Sequence, residues 1–368
     1  MDSLPPGAGG RFSNSERSVA VSGLSCVPVI RKETPSNTNT SSTGRSPSDV
    51  PFPGSLVLRW IPLGTMTTPR VRLIASGVAA FLVLVWSSNY SLQKALLVEL
   101  HPQGMLLARY LITPACAVAL LVWRFGFRWP ALPRSEWLPL CALSLLGHVM
   151  HVSVVMHAMH LSTPFSSALI SALGPVFTLM LMRAVSQDRL DRAQVVGVVL
   201  ALAGVLVFLS DKLLARSASQ TLGDVLLLAS AALFSAHTVA ARTIVESRGA
   251  LVFLAYSTLL ASIPILMMNA KAFTAIDWSS QPVSIWIGLF WSLGIASFGG
   301  WLAWAWLNSA LGVCRTAPLL YLLPPAAGII AWATVGESFS ATKVLGALLA
   351  LAGVAVVQFR TRPFSLVK

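Results

Sequence analysis

The chain has 368 residues, of which 55% are hydrophobic and 11% are charged, and its formal net charge at pH 7 is +13. A soluble globular protein carries about 25% charged residues, so this composition excludes a water-soluble enzyme, a coiled coil and a disordered chain. The positive charges are scattered as single residues and pairs instead of forming a stripe, which argues against nucleic acid as a partner. A lipid bilayer is therefore predicted to surround most of the chain.

The first 65 residues differ in composition from everything that follows. Residues 1–65 are rich in Ser, Thr, Pro, Gly and Asn, and such a segment buries too little apolar area to fold. It also lacks the apolar stretch and small-residue cleavage site of a secretory signal peptide. We expect a disordered tail or an untranslated segment here, since Met66 begins a short polar stretch that leads into a long apolar run.

Apolar blocks of about 20 residues recur from residue 73 onward, and a helix of that length crosses a bilayer. The blocks are continuous instead of alternating, which excludes the strands of a membrane barrel. We therefore predict an all-α integral membrane protein with ten transmembrane helices. The ten predicted spans are 73–97, 104–124, 137–158, 163–183, 192–210, 222–243, 250–269, 283–308, 316–335 and 341–360.

The basic residues between these blocks are distributed unevenly over the two sides of the membrane. If the N-terminus lies inside, fourteen basic residues fall in inside loops and ends, whereas only Lys212, Arg216, Lys271 and Lys343 fall outside. Because cytoplasmic loops carry the excess of Lys and Arg, both termini are predicted to face the cytoplasm of a cell (inner) membrane. One missed or added span would erase the asymmetry, so it also supports the count of ten.

An internal repeat is the most informative pattern in the sequence. Residues 197–205 (GVVLALAGV) recur as 346–354 (GALLALAGV), and Trp86-Ser87-Ser88-Asn89 falls on Phe234-Ser235-Ala236-His237 at nearly the same separation. A third block, Leu161–Pro175, matches Leu311–Pro325. Three blocks in the same order at nearly one separation indicate a duplication.

The duplication defines a first repeat at 70–211 and a second repeat at 222–361. Each repeat holds five predicted spans, so the second must enter the membrane from the opposite side. Inverted repeats are a transporter architecture, in which two halves exchange conformations around a site near the bilayer midplane. The sequence contains no ATP-binding loop, which excludes a pump fuelled directly by this chain.

Several of these residues also resemble a known family. The stretch 323–340 (LPPAAGIIAWATVGESFS) resembles the closing signature of EamA-type members of the drug/metabolite transporter superfamily. Trp86-Ser87-Ser88-Asn89 resembles the Trp-Gly-Ser-Asn of their first helix, and Arg109 stands where their second helix carries Arg. The resemblance covers about residues 70–365 and implies a carrier of small metabolites, often directed outward. Ser87 replaces the usual Gly, and Gln187-Asp188 stands where Gly-Glu is typical.

Polar and aromatic residues in the predicted spans indicate where a substrate binds, since polar side chains in lipid face the protein interior or a cavity. The repeat maps Asn89 onto His237 and His151 onto Trp301, so four helices present such groups at related positions. They suit a small amphipathic molecule, although interhelical packing is the alternative role. The predicted substrate-binding residues are Trp86, Asn89, Arg109, His151, Ser171, His237, Trp301, Trp304, Asn308 and Tyr321.

The histidines do not indicate a metal site. His148 and His151 form one pair and His157 and His160 another, but at 100° per residue the two pairs lie on opposite faces of their helix. No acidic residue or Cys stands beside either pair, so we expect no metal ion and no cofactor. No carboxylate lies deep in a span, which makes His151 and His237 the candidates for coupling to protons.

Three further features have structural interpretations. Pro175 and Pro325 occupy matched positions and are predicted to kink their helices as hinges. Glu337 is expected to pair with a neighbouring cation. Four glycines are predicted to allow close helix packing, within the chain or as a homodimer face. These glycines are Gly197, Gly204, Gly346 and Gly353.

Together these patterns predict a secondary active transporter of a small metabolite, amino-acid-like, nucleoside-like or drug-like, working as an exporter by alternating access. A membrane-embedded enzyme is the first alternative, and it would need a nucleophile–base or metal constellation at membrane depth. A non-transporting membrane receptor is the second. Small-molecule substrate and lipid are the expected partners.

Overall fold

The computed structural model describes residues 69–186, 191–214, 217–311 and 316–360. The tail predicted for residues 1–65 and the departure at Gln187-Asp188 lie outside these ranges. All regular elements within them are helices, which confirms the all-α fold class.

The helices follow one another with short connections. They are α1 Pro69–Phe125, α2 Arg134–Ser144, α3 His151–Leu161, α4 Pro164–Ser171, α5 Gly174–Ser186, α6 Arg192–Leu214, α7 Ala218–Arg248, α8 Ala250–Met268, α9 Ala270–Ala275, α10 Val283–Leu289, α11 Gly300–Leu311, α12 Leu323–Val335 and α13 Ala341–Arg360. A π-helix, Leu145–Met150, joins α2 to α3, and a second, Phe290–Gly299, joins α10 to α11. A 3₁₀ helix, Ala317–Leu322, precedes α12.

Within the described ranges, eight helical stretches are long and apolar enough to cross a membrane. Seven of the ten predicted spans correspond to one stretch each. The first two predicted spans lie together in Leu73–Phe125, a run of 53 residues, and the ninth is the shorter apolar helix Leu319–Val335. The structure is thus a multi-pass helical membrane fold, with eight candidate spans where the sequence predicts ten.

Helix α1 is interrupted at His101, which divides it into two arms. His101 has φ 52 and ψ 170, so it lies outside the helical region. The next residue is Pro102, and a residue before proline is disfavoured in the α conformation. Beyond the break, the side chain of Ile276 packs where Gly104 has no Cβ. The break coincides with the boundary predicted between the first and second spans.

The two repeats are interrupted at related positions. The π-helix that ends at Met150 stands one residue before His151, and the π-helix that ends at Gly299 stands two residues before Trp301, the residue that the repeat maps onto His151. π-helical segments inside α-helices are rare and occur frequently at functional sites. The local structure therefore repeats as the sequence does.

A second pair of interruptions involves the predicted hinge prolines. Pro175 and Pro325 each lie in the first turn of a helix, α5 and α12, instead of bending the middle of one. Proline is well tolerated in a first turn because the backbone N–H it lacks has no partner there. Each predicted span is interrupted just before its proline, at residues 172–173 and at the 3₁₀ helix, and the hinge role stays a prediction.

The loops meet in two groups at opposite ends of the helices. At the end where α2 begins, the Arg248 guanidinium forms an ion pair with Glu136, with Nη2 to Oε1 at 2.7 Å. The Tyr256 hydroxyl donates to the Pro130 carbonyl there at 2.9 Å. At the end where α3 finishes, three charged residues meet the α3–α4 corner, which we define as residues 159–165.

Two of these charged residues hold the first half of the corner. The Lys94 ammonium donates to the carbonyls of Met159, at 3.3 Å, and His160, in the last turn of α3. A cation at a helix C-terminus is favoured by the helix dipole. The buried carboxylate of Asp224 accepts a hydrogen bond from the Ser162 hydroxyl. The corner is thus attached to α1 and to α7.

Glu337 holds the second half of the corner, and it pairs with a cation as predicted. Its Oε2 accepts a hydrogen bond from the Phe165 backbone N–H at 3.2 Å, at the start of α4. Its Oε1 lies 2.6 Å from Lys343 Nζ, and both side chains are almost fully buried, at 5% and 6% exposure. The Lys343 ammonium also lies over the Phe339 ring, 4.9 Å from its centroid. The charge of this buried pair is therefore well compensated.

The four repeated glycines bring α6 and α13 into backbone contact. A Cβ at Gly204 would lie 2.8 Å from the Gly346 carbonyl oxygen, and a Cβ at Gly346 would lie 2.8 Å from that of Gly204. A Cβ at Gly353 would lie 2.6 Å from the Gly197 carbonyl oxygen. The prediction of close helix packing is confirmed. The glycines face one another within one chain, and a homodimer face on this helix pair stays a prediction.

We predict that Gly353→Leu prevents this packing and lowers the amount of folded protein. The new side chain would overlap the α6 backbone, and such overpacking costs about 1–3 kcal/mol or more. The measurement is the thermal midpoint of the purified protein in detergent. Gly77→Ala is the control, since no atom lies within 4 Å of its Cβ position. Equal midpoints for Gly353→Leu and wild type would contradict the prediction.

Candidate functional site

Two clusters of predicted site residues lie near the middle of the long helices. The first joins the first arm of α1 to α11. The Trp86 ring centroid lies 5.8 Å from that of Trp301 and 5.7 Å from that of Trp304. The Trp86 indole N–H donates to the Ala296 carbonyl, in the second π-helix, at 2.9 Å. Close approach is possible because Gly300 has no side chain to displace the indole.

A small cavity adjoins this tryptophan cluster. It is narrow and lies among Trp86, Trp304 and apolar side chains of α1, the 3₁₀ helix and α12. Trp301 is not among the residues that line it and is 48% exposed. Aromatic faces of this kind bind the apolar part of a small ligand.

Two unpartnered polar atoms lie on elements that line this cavity, α1 and the 3₁₀ helix. Asn89 is buried, and its Oδ1 has no hydrogen-bond partner among the described residues. The same holds for the Tyr321 hydroxyl in the 3₁₀ helix. Ser171, at the end of α4, faces the Tyr90 hydroxyl. A buried polar atom without a partner costs free energy, so ligand binding by Asn89 and Tyr321 stays a prediction with this physical reason behind it.

The second cluster is polar and centres on histidines of the first π-helix and α3. His148 Nδ1 lies 3.0 Å from the Tyr110 hydroxyl, and its Nε2 lies 3.2 Å from the Ser257 hydroxyl. Its ring centroid lies 6.0 Å from that of His237. His151 Nδ1 lies 3.0 Å from the Ser230 carbonyl oxygen. The two histidines predicted to couple protons therefore lie in one cluster with His148.

The two clusters are related by the sequence repeat. The repeat maps Trp86 onto Phe234 and Trp301 onto His151. Trp86 contacts Trp301, and in the same way Phe234 contacts His151, with ring centroids 5.2 Å apart. The same ring contact therefore occurs at two positions related by the repeat, once between two tryptophans and once between a phenylalanine and a histidine.

Arg109 belongs to the second cluster. It lies on the second arm of α1, next to Tyr110, and its side chain is half-buried. The Tyr110 hydroxyl, one residue further along the arm, lies 3.0 Å from His148 Nδ1. It forms no hydrogen bond or ion pair with any described residue. A guanidinium stays protonated in proteins, so this arm carries a permanent, uncompensated positive charge.

One predicted residue lies elsewhere, and three were missed. Asn308 accepts a hydrogen bond from Thr316 near the far end of α11. Tyr110, His148 and Ser257 were not predicted as site residues, although His148 stands one helical turn before His151. Tyr110 and Ser257 carry no such signal, because only the tertiary fold brings them to His148. The described residues include no group of three metal-ligating side chains arranged for an ion.

These features define a class: a multi-pass membrane protein built from two related helical repeats, with an aromatic and a polar side-chain cluster near mid-span. The EamA-like transporter family model matches residues 73–210 and 221–359, one copy for each repeat. The chain therefore belongs to the EamA-like transporter family, and it is a small-molecule transporter.

Similar proteins agree with this assignment. A "probable terminal-alkyne amino-acid exporter" of Streptantibioticus cattleyicolor is 24% identical over 280 residues, which cover 76% of this chain and 91% of the relative. An "uncharacterized transporter YyaM" of Bacillus subtilis is 22% identical over 269 residues, 73% of this chain and 88% of the relative. A solved crystal structure aligns with a TM-score of 0.50 and 23% identity over 80% of this chain and 100% of its own, which supports the fold alone.

We predict that Trp301→Ala and Asn89→Ala each lower transport at least about tenfold without changing the amount of protein in the membrane. Each removes a contact that substrate would make at the tryptophan cluster, where a truncated hot-spot residue costs about 2 kcal/mol or more. The measurement is the tolerance of exporter-deficient cells to toxic amino acids, nucleosides and drugs, with membrane abundance measured in parallel. Trp123→Ala is the control, since Trp123 is 71% exposed. Unimpaired tolerance in both variants would remove the proposed site.

Proposed function

We propose that this chain is a secondary exporter of small amphipathic, amino-acid-like metabolites, and that it works by alternating access between two inverted five-helix repeats. The observation that carries the proposal is the paired contact at mid-span, Trp86 with Trp301 and Phe234 with His151. A site that two repeats share in this way changes its exposure when one repeat moves relative to the other.

The proposed ten crossings follow from the eight candidate spans in two steps. The break at His101 allows the two arms of α1 to cross the membrane in opposite directions. The 3₁₀ helix and α12 together form the remaining crossing, Leu319–Val335. With ten crossings, the Glu136–Arg248 pair lies on the cytoplasmic side and the α3–α4 corner on the outer side. Residues predicted to share a side are in contact in both cases, which supports the topology.

The amino-acid-like substrate is supported by two observations. The site combines aromatic faces at Trp86, Trp301 and Trp304 with unpartnered polar atoms at Asn89 and Tyr321, and this combination suits a molecule with one apolar and one polar end. The relative from Streptantibioticus cattleyicolor is described as a probable exporter of amino acids. Membership of a transporter family also favours a carrier over a membrane-embedded enzyme.

The proposed outer gate is the α3–α4 corner together with the charged residues that hold it. Release of substrate to the outside requires the corner to separate from Asp224 of α7 and from the loop that carries Glu337. Both partners belong to the second repeat, while the corner belongs to the first. The contacts therefore hold the outer end closed by linking one repeat to the other.

We predict that Ser171→Cys is labelled by a membrane-impermeant thiol reagent from outside several-fold faster in a Glu337→Gln background. Removing this carboxylate leaves Lys343 buried without its ion-pair partner, and loss of one member of a buried pair costs about 3–5 kcal/mol. The closed outer end is thus weakened. The background for this measurement is the chain with its native cysteines replaced.

The control for the gate experiment is Glu136→Gln, which breaks the ion pair at the opposite end. It should leave outer labelling unchanged or slow it. If Glu337→Gln reduces the amount of folded protein, the double variant Glu337→Gln with Lys343→Met removes both charges and keeps the test available. Labelling at the wild-type rate in both Glu337 variants would exclude the corner as the outer gate.

We predict that a single cysteine at Lys271 reacts from outside the cell and one at Arg189 reacts only after permeabilisation. The reason is the charge asymmetry of the loops: the loops with few basic residues, including that of Lys271, are predicted to lie outside. The loops with many, including that of Arg189, are predicted to lie inside. The measurement is labelling of intact and permeabilised cells with a membrane-impermeant maleimide. Reaction of both positions from the same side would disprove the inverted topology.

A further inference from the structure

Arg109 is the one basic residue in the second arm of α1 before the cytoplasmic end. It lies eight residues beyond His101, or about 12 Å along the helix axis. The arm continues to Phe125, so Arg109 lies well inside the apolar run. A guanidinium within a membrane span is costly unless it faces a partner or a cavity, and such residues commonly mark substrate pathways.

The neighbours of Arg109 are hydrogen-bonding groups without negative charge. Tyr110, His148 and Ser257 form a chain of contacts at 3.0 and 3.2 Å. Arg109 directly precedes Tyr110, whose hydroxyl contacts His148, and no described carboxylate lies in contact with Arg109. The cluster thus offers one permanent cation together with imidazole and hydroxyl groups that can donate hydrogen bonds.

We propose that Arg109 and His148 form a subsite for the carboxylate group of the substrate. This inference rests on the proposed function and deepens it, because it names the charged group that the second cluster recognises. A guanidinium binds a carboxylate through two parallel N–H donors. A single permanent cation matches a monoanionic carboxylate, whereas a phosphate monoester carries about two negative charges at neutral pH.

His148 completes the subsite as a positioning and specificity-determining residue. Its two ring nitrogens are directed to Tyr110 and Ser257, on α1 and α8, so its orientation is fixed by two helices. Through the repeat, Arg109 corresponds to Ser257 or Thr258 on α8. The tryptophan cluster therefore has no counterpart of Arg109. The two ends of the substrate are therefore recognised by different clusters, the apolar end by the tryptophans and the carboxylate by Arg109.

The test compares binding of matched acids and amides to the purified full-length protein. The probes are L-phenylalanine and L-propargylglycine against L-phenylalaninamide and L-propargylglycinamide, and the readout is the ligand-dependent thermal shift. We expect wild type to bind the acids more tightly than the amides. Arg109→Gln should reduce this preference about tenfold or more, as loss of a charged hydrogen-bond pair does. Arg124→Gln, on the same arm of α1, should leave it unchanged.

Two further variants keep the proposal falsifiable if Arg109→Gln does not accumulate. Arg109→Lys retains the charge without the planar fork, so it should bind the acids with lower affinity. His148→Gln should lower affinity for the acids more than for the amides. Equal binding of acids and amides by wild type, no binding of either, or wild-type preference in Arg109→Lys and His148→Gln would overturn the proposal.

The proposed function is measured separately, by tolerance of exporter-deficient cells to the probe panel and to neutral drugs. If wild type confers tolerance and Arg109→Gln confers it equally for acids, the exporter stands and the carboxylate subsite fails. If Arg109→Gln loses tolerance to acids alone, both are supported. If wild type confers no tolerance to any compound, the proposed exporter function is disproved, whatever the binding assay shows.

Discussion

Lipid offers no hydrogen bonds to a helix backbone, so every interruption of a membrane helix must be covered by protein. The interruptions in this chain occur in pairs at related positions of the two repeats, and the site residues cluster around them. The π-helices precede His151 and Trp301, while Ser171 and Tyr321 lie at the second pair of breaks. The same irregular backbone that must be shielded from lipid thus places polar groups in the interior. The fold and the site follow from one constraint.

Duplication followed by divergence explains how two similar halves produce one asymmetric site. The ring contact between Trp86 and Trp301 has a counterpart between Phe234 and His151, so the two repeats share the geometry of the contact and differ in its chemistry. One copy has become aromatic, and the other has acquired imidazoles beside Arg109. The backbone contact between α6 and α13 is alike in both repeats. At each glycine there, a side chain would overlap the backbone of the other repeat.

The sequence was sufficient for features that depend on local pattern. The length of the apolar blocks predicted the helices, and the repeated glycines predicted the close packing of α6 against α13. Glu337 was expected to pair with a cation. The π-helices were not predictable, because a single inserted residue leaves the apolar pattern almost unchanged. The pairing of His148 with Tyr110 and Ser257, and the attachment of Lys94 to α3, join residues far apart in the chain. Those contacts depend on tertiary packing. Pro175 and Pro325 lie in the first turns of α5 and α12 because those helices begin at Gly174 and Leu323. The sequence pattern did not indicate these starting points.

The ion pairs at the two ends of the molecule differ in their exposure to water. The Glu337–Lys343 side chains are 5–6% exposed, whereas those of Glu136 and Arg248 are 23% and 34% exposed. Mobile ions screen exposed charges over about 8–10 Å at physiological ionic strength, and they screen buried charges far less. Ionic strength therefore acts on one end of this protein more than on the other. An increase in salt would weaken the exposed pair and leave the buried one almost unchanged, so the two ends of the molecule differ in their sensitivity to salt.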